Sequence, residues 1–332
     1  MYKGLLTRFI WVGDPHCKKN NIEESVRLIT WIAALAKKYG LPVLFAGDQY
    51  DDFGIAKVEC VDFWKWAFDL ILESIAIVGN HDQNSDGSLN FMSVHSDKTL
   101  VIDKLTKIGD VTLMPFYRKN EKFEEALRAA TDSRFVLCHQ EFNGCQYETG
   151  FFSPHGADVA AIPANIEKVI SGHIHREQSF DKVWYPGTPR QLTRSDIGHQ
   201  KGVYIVDLAD RKMAYEFIPT PANVSEPFVK FEVTEESQLK GIPNSSRVYV
   251  DLKGSEEFLK KMIKKVPSDV KLRTFNTTEQ TLTTTAKESE GIPKAFMNYS
   301  LNYFNDKNVG TSEAKAILAK IYEKCPSLKS GV

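Results

Sequence analysis

Five short apolar runs recur through the first 175 residues, and each ends on side chains able to bind a metal. They are "FIWVGDPH", "LPVLFAGDQYD", "IAIVGNHD", "RFVLCHQE" and "KVISGHIH". Each is rich in β-branched and aromatic residues and too short for an ordinary helix, which predicts strands. Between the first two lies "NIEESVRLITWIAALAKKYG", which carries helix signals. Asn21 and Glu24 have capping-box spacing, Ile22, Val26, Ile29 and Ala33 are the expected buried stripe, and Gly40 suits the exit. Strands alternating with helices predict an α/β sheet covered on both faces. Ligands of such sheets gather at the carboxyl ends of the strands, and all five polar clusters fall there.

The bulk numbers narrow the classes. The chain has 332 residues, enough for one large domain and a smaller one. Its 42% hydrophobic and 26% charged content is that of a globular protein. No apolar run reaches the length of a membrane helix, so no membrane partner is expected, and the N-terminus lacks a signal-peptide cleavage site. The five cysteines form no CxxC pair and are odd in number. A disulfide framework or zinc cage is therefore not expected, and a reducing cytoplasm is. Lys and Arg total 42 against 43 Asp and Glu, a formal charge of −1. A protein gripping nucleic acid by bulk charge would be basic. Any nucleic-acid phosphates must therefore meet a local patch or a partner subunit.

Residues 54–76 read as a second helix with two apolar stripes, Val61, Trp64, Phe68 and Ile71 on one side and Phe63, Trp66 or Ala67, and Leu70 on another. Such a helix is either fully buried or faces another copy of the chain. A first domain is expected over 1–220. A small strand–helix–strand module follows over 221–275, with Ser255 capping a helix buried through Leu259, Met262, Ile263 and Val266. Residues 276–293 are Thr- and Glu-rich, as in a linker. The remainder, 294–332, carries two short amphipathic helices with apolar faces at Phe296, Tyr299 and Tyr303, then Ile317, Leu318 and Ile321.

The five clusters supply carboxylates, imidazoles and an amide, with no thiolate. Two divalent cations about 3.5–4 Å apart can clamp a phosphate, and mixed oxygen and nitrogen donors suit Mn²⁺, Fe²⁺ or Zn²⁺. His173 and His175 would point to opposite faces of a regular strand, so serving two adjacent ions requires the segment to bend.

The ordered set DxH, GDxxD, GNHD, a lone His and GHxH resembles the calcineurin-like metallophosphoesterases. The resemblance implies a four-layer β-sandwich flanked by helices within the α/β (α+β) class. It implies one ion on Asp14, His16, Asp48 and His175, and a second on Asp48, Asn80, His139 and His173, with Asp48 as the bridge. His81 would be a non-ligand imidazole serving the leaving oxygen or the transition state, and Asp51 would orient its ring. Asp82 would support the loop. The flanking segments "WYPGTPRQLTRSD", "KGVYIVDL", "LMPFYRKNEKFEEAL" and "HQEFNGCQYETG" resemble the SbcD-type nuclease subunits, phage versions included. That likeness implies Mn²⁺- or Mg²⁺-dependent hydrolysis of DNA at double-strand ends and in single strands. It also implies an SbcC-like SMC-type ATPase partner on the C-terminal helices, a homodimer through the 54–76 helix, and a DNA-capping role for the 221–275 module. Arg118, Lys119, Arg190 and Arg194 are the expected phosphate contacts. Where family members often carry a histidine after Asp51, this chain has Asp52. A phosphoesterase acting on a small phosphodiester and an inactive scaffold are the alternatives. A protein phosphatase would carry GDxxDRG and GNHE, which this chain does not.

Overall fold

A computed structural model describes residues 4–71, 73–209 and 213–277. The chain lays down β1 (Arg8–Val12), α1 (Ile22–Tyr39), β2 (Val43–Phe45), α2 (Val58–Leu70), β3 (Ser74–Ile77) and β4 (Leu100–Ile102). It then builds β5 (Thr106–Ile108), β6 (Val111–Met114), α3 (Asn120–Arg128), β7 (Phe135–Cys138), β8 (Lys168–Ser171), β9 (Gln178–Phe180) and β10 (Val183–Tyr185). Finally it returns with β11 (Gly202–Asp207) and β12 (Ala214–Pro219). Two mixed six-stranded sheets result, in the orders β12-β11-β1-β2-β3-β4 and β5-β6-β7-β8-β10-β9.

Strand alternation makes four layers. Phe9 and Trp11 of β1, with Leu44 and Ile75, meet Leu113, Leu137 and Ile170 of the second sheet. Their neighbours Ile10 and Val12 face the other way and pack with Phe45 against Leu28 and Ile32 of α1 and Trp64 and Phe68 of α2. Beyond the second sheet, Val136 and Val169 pack with Phe123 and Leu127 of α3. Strands buried on both faces must be apolar throughout, which is why the runs read as continuous. The expected helix–sheet–sheet–helix sandwich is present.

Several local expectations are corrected. The buried face of α1 is Ser25, Leu28, Ile29 and Ile32 with Glu24, while Val26 turns outward. Asn21 accepts no backbone N–H of the helix; its amide donates to His16 O at 2.9 Å, and its oxygen accepts from Lys18 N at 2.9 Å and from the Ser25 hydroxyl at 3.2 Å. The helix end forms as expected, with Gly40 at φ 64 donating to Ala36 O. The helix expected over 54–76 spans only Val58–Leu70, because its last residues belong to β3. Both of its stripes contribute to one buried face of Cys60, Phe63, Trp64, Ala67 and Phe68, leaving Trp66 and Leu70 exposed.

Contacts divide the described residues into two units, one of residues up to 252 with 265–273, the other of 253–264 with 274–277. Beyond β12 come β13 (Val229–Val233), β14 (Val248–Gly254), α4 (Glu256–Ile263) and β15 (Lys271–Asn276), the strands forming a three-stranded sheet in that order. Ser255 caps α4 by accepting from Phe258 N. Leu259 and Met262 are buried, but Ile263, expected inside, is exposed. The linker expected over 276–293 is corrected at its start, where Asn276 closes β15; the rest of it from 278, and the helices near 294–304 and 312–324, lie outside the described residues.

Candidate metal centre

Five strand ends deliver the polar groups. Asp14 and His16 follow β1, Asp48 follows β2, Asn80 and His81 follow β3, His139 follows β7, and His173 and His175 follow β8. The first three strands are neighbours in one sheet and the last two are neighbours in the other. Chain direction therefore brings all of them to one lip of the sandwich. Three of these residues hold left-handed backbone, His16 at φ 45, Asp48 at φ 51 and His173 at φ 80. The turn at His173 is the bend that the alternation of His173 and His175 requires. Glycine makes the approach possible. A Cβ on Gly79 would stand 2.2 Å from Asp48 Oδ1, and one on Gly47 2.1 Å from His139 Nδ1.

The donors form two groups sharing one carboxylate. Asp48 Oδ1 lies 3.4 Å from His139 Nε2. Asn80 Oδ1 is 3.0 Å from that nitrogen and 2.8 Å from His173 Nδ1, and the two nitrogens are 3.3 Å apart. On the other side, Asp48 Oδ2 lies 3.7 Å from His16 Nε2. That nitrogen is 3.1 Å from His175 Nε2, which is 3.8 Å from Asp14 Oδ2. Imidazole nitrogens facing each other this closely oppose their lone pairs unless a proton or cation lies between them. With the carboxylates and the amide oxygen they are a mixed donor set suited to divalent cations. The residues fit a pair of ions, and Asp14, His16, Asp48, Asn80, His139, His173 and His175 are brought together as the sequence suggested.

Electrostatics point the same way. Burial would raise the Asp48 carboxyl, but the surrounding imidazoles, His139 foremost, hold it well below the usual range. Burial would lower His139, yet the Asp48 and Asp14 carboxylates lift it to about 9. Burial pushes the Asp14 carboxyl up, and it pushes His175 well down. His139 Nδ1 donates to Ala46 O at 2.7 Å, which turns Nε2 toward the cluster.

His81 stands at the open side, its side chain 30% exposed and Nε2 4.0 Å from Asp48 Oδ2. His81, His16 and Asp48 also converge as a donor group. The expected bond from Asp51 is present in altered form. His81 Nδ1 donates to the backbone carbonyl of Asp51 at 2.6 Å. The Asp51 carboxylate turns instead to His16 Nδ1 at 3.4 Å and accepts from Lys18 Nζ at 3.0 Å. Asp82 is fully buried and accepts from Tyr50 N and Gly79 N, supporting the loop as expected. Burial and the nearby Asp48 charge raise its carboxyl to about 7.

The four expected phosphate contacts divide. Arg118 and Lys119 are exposed, and the Arg118 guanidinium lies 5.1 Å over the Phe53 ring beside His81. Arg194 is engaged by Asp251. Arg190 corrects the surface reading, since it is only 1% exposed. It pairs with Glu24 and donates to Pro15 O at 2.6 Å and His16 O at 3.2 Å, bracing the loop that carries Asp14 and His16. The sequence reading also missed Glu141, 3.4 Å from His173 Nε2, and Phe116, stacked on the His173 ring at 5.8 Å. Glu141 stood in a quoted motif with nothing to give it a role, and no local pattern marks Phe116 or Lys18.

Residues 7–177, just over half of the chain, match the family profile of the calcineurin-like phosphoesterases. The chain belongs to that family. As a calcineurin-like phosphoesterase it is a phosphoester hydrolase of a type that binds divalent metals. The phosphoesterase is 39% identical over 72 residues to the SbcD component of nuclease SbcCD from Rhodobacter capsulatus, a match covering 21% of this chain and 18% of that relative. It is 27% identical over 203 residues to Putative phosphoesterase 244L of Invertebrate iridescent virus 6, covering 54% of this chain and 69% of that one. The phosphoesterase thus spans less than a fifth of the first relative's length. A solved archaeal phosphodiesterase overlaps 64% of this chain and 99% of its own at 11% identity, with a TM-score of 0.34. Among the described residues no helix is long and apolar enough to cross a membrane.

Proposed function

We propose that this phosphoesterase is a metal-dependent DNA nuclease, the hydrolytic component of an SbcCD-like repair and recombination complex. The observation that carries the reading is the 39% identity over 72 residues to an SbcD nuclease component. Asp14, His16, Asp48 and His175 would hold one Mn²⁺ or Mg²⁺, and Asp48, Asn80, His139 and His173 the other. When bound, such a pair neutralises charge on phosphoryl oxygens and acidifies a water. The chain's own work is positioning and proton handling. With Nδ1–H donating to the Asp51 carbonyl, His81 would present Nε2 to the phosphoester and, when that nitrogen also carries a proton, would pass it to the leaving oxygen. Arg118 and Lys119 would take neighbouring phosphates. A homodimer would use α2, whose Val58, Trp66 and Leu70 are exposed apolar side chains. The SMC-type ATPase would dock on residues 294–332, and the setting would be the cytoplasm.

The test is Mn²⁺-dependent cleavage of an end-labelled DNA duplex by the purified chain, with His81→Ala beside it. Cleavage lost in the variant supports the nuclease. Hydrolysis of bis-p-nitrophenyl phosphate without DNA cleavage, with or without the ATPase, overturns it in favour of a small phosphodiester substrate.

A further inference from the structure

We infer that Glu141 is a positioning residue for the metal centre, fixing the tautomer and tilt of His173 so that Nδ1 faces the cation site. The inference rests on the two-ion reading above. His173 stands on left-handed backbone two residues beyond the end of β8, so its ring must be held by its surroundings. Phe116 stacks on it with the planes 22° apart, His139 meets it edge-on at 5.2 Å, and Glu141 Oε2 lies 3.4 Å from Nε2.

Glu141 is itself anchored. Its Oε1 accepts from the Tyr147 hydroxyl at 2.6 Å and from the Ser153 hydroxyl. Both come from one loop, closed by the Phe142–Ala157 and Gln146–Phe152 bridges. One carboxylate oxygen thus belongs to the loop and the other to the imidazole. A carboxylate only accepts, so the nitrogen facing it must carry the proton. A neutral imidazole has one such proton. Nδ1 is therefore left as a lone pair aimed at the space shared with Asn80 Oδ1 and His139 Nε2. His139 achieves the same result through the backbone carbonyl of Ala46. Glu141 is thus the side chain through which this half of the centre can be altered without removing a ligand.

Glu141→Gln keeps the size and an acceptor for the two hydroxyls, but it can turn an amide N–H toward His173 and favour the wrong tautomer. Mn²⁺ binding to the full chain is measured by titration calorimetry and by electron paramagnetic resonance, with His173→Ala as reference. The wild type is expected to take two ions. Glu141→Gln should weaken one of them about 10–100-fold, the same one lost in His173→Ala. At limiting metal the coupled two-ion signal should give way to that of isolated Mn²⁺, while the metal-free melting temperature stays unchanged. Two ions bound by Glu141→Gln as tightly as by the wild type would overturn the inference. So would a lower metal-free melting temperature with unchanged affinity, which would make Glu141 a brace for the loop alone. A wild-type chain that binds no ion pair would overturn the two-ion reading itself, and the inference with it.

Discussion

His81 donates from Nδ1 to the backbone carbonyl of Asp51, at 2.6 Å, while the Asp51 carboxylate looks away toward His16 and Lys18. The orientation of His81 is therefore independent of the Asp51 side chain. Asp51→Asn should lower phosphodiesterase turnover only about tenfold, through His16, whereas His81→Ala should cost about 10²-fold or more. Steady-state rates on one substrate check this. Equal losses in the two variants would mean that the carboxylate, after all, acts on His81.

Asp48 sends one oxygen to each donor group, so the two sites cannot be emptied separately through it. Adding Mn²⁺ to chelator-treated protein should raise the melting temperature, by an amount equivalent to about 2.7 kcal/mol at a hundredfold excess over Kd. Asp48→Asn should abolish the shift, while His139→Ala should keep part of it. Scanning fluorimetry with and without metal distinguishes these outcomes.

Arg190 and Arg118 were given one role by the sequence and have separate ones in the fold. Arg190→Met removes the buried partner of Glu24 and the brace on Pro15 and His16, and should cost about 3 kcal/mol of stability. Arg118→Ala should leave the urea midpoint unchanged and instead weaken DNA binding, most visibly at low salt. Denaturation and DNA titrations on both variants would show the separation.

The buried His95 gives the fold a pH dependence of its own. Its Nε2 lies 2.8 Å from the Tyr50 hydroxyl. Burial pushes its pKa down to about 4, opposed only in part by Asp97. An unfolded histidine titrates near ~6.5, so the unfolded chain takes up the proton first. The contribution is complete above that pH, declines as pH falls toward 4 and is lost below it, on the order of 3 kcal/mol in all. Urea midpoints at pH 7 and pH 5 should differ, and His95→Gln should flatten the difference.

Trp66 and Leu70 are 38% and 41% exposed on α2. If this face joins two copies, Trp66→Glu should convert a dimer to a monomer in sedimentation without lowering the melting temperature of the monomer. A wild-type chain that sediments as a monomer would remove the assignment.

The sandwich was legible because burial on both sheet faces leaves a plain mark, the apolar run. Its endings were legible because metal ligation restricts the residue types that can stand there. What stayed hidden depends on partners distant in sequence. Glu24 read as part of a capping box, but its carboxylate pairs with Arg190 and Arg247. Val26 and Ile29 both suited a stripe, and only the packing of α1 against the sheet decides that Ile29 goes inside. The helix reading runs on to Ala76, over the start of the strand read from Ile75, because a short apolar run carries no clear period of its own. Glu141 acts through a loop whose closure involves bonds between residues up to sixteen positions apart.

His16, Asp48 and His173 occupy backbone that side-chain-bearing residues avoid, at roughly 1–3 kcal/mol apiece. Glycine at any of the three would relieve that cost and remove a donor in the same exchange. The donor cluster is thus held against the backbone's own preference, by the packing of the two sheets behind it.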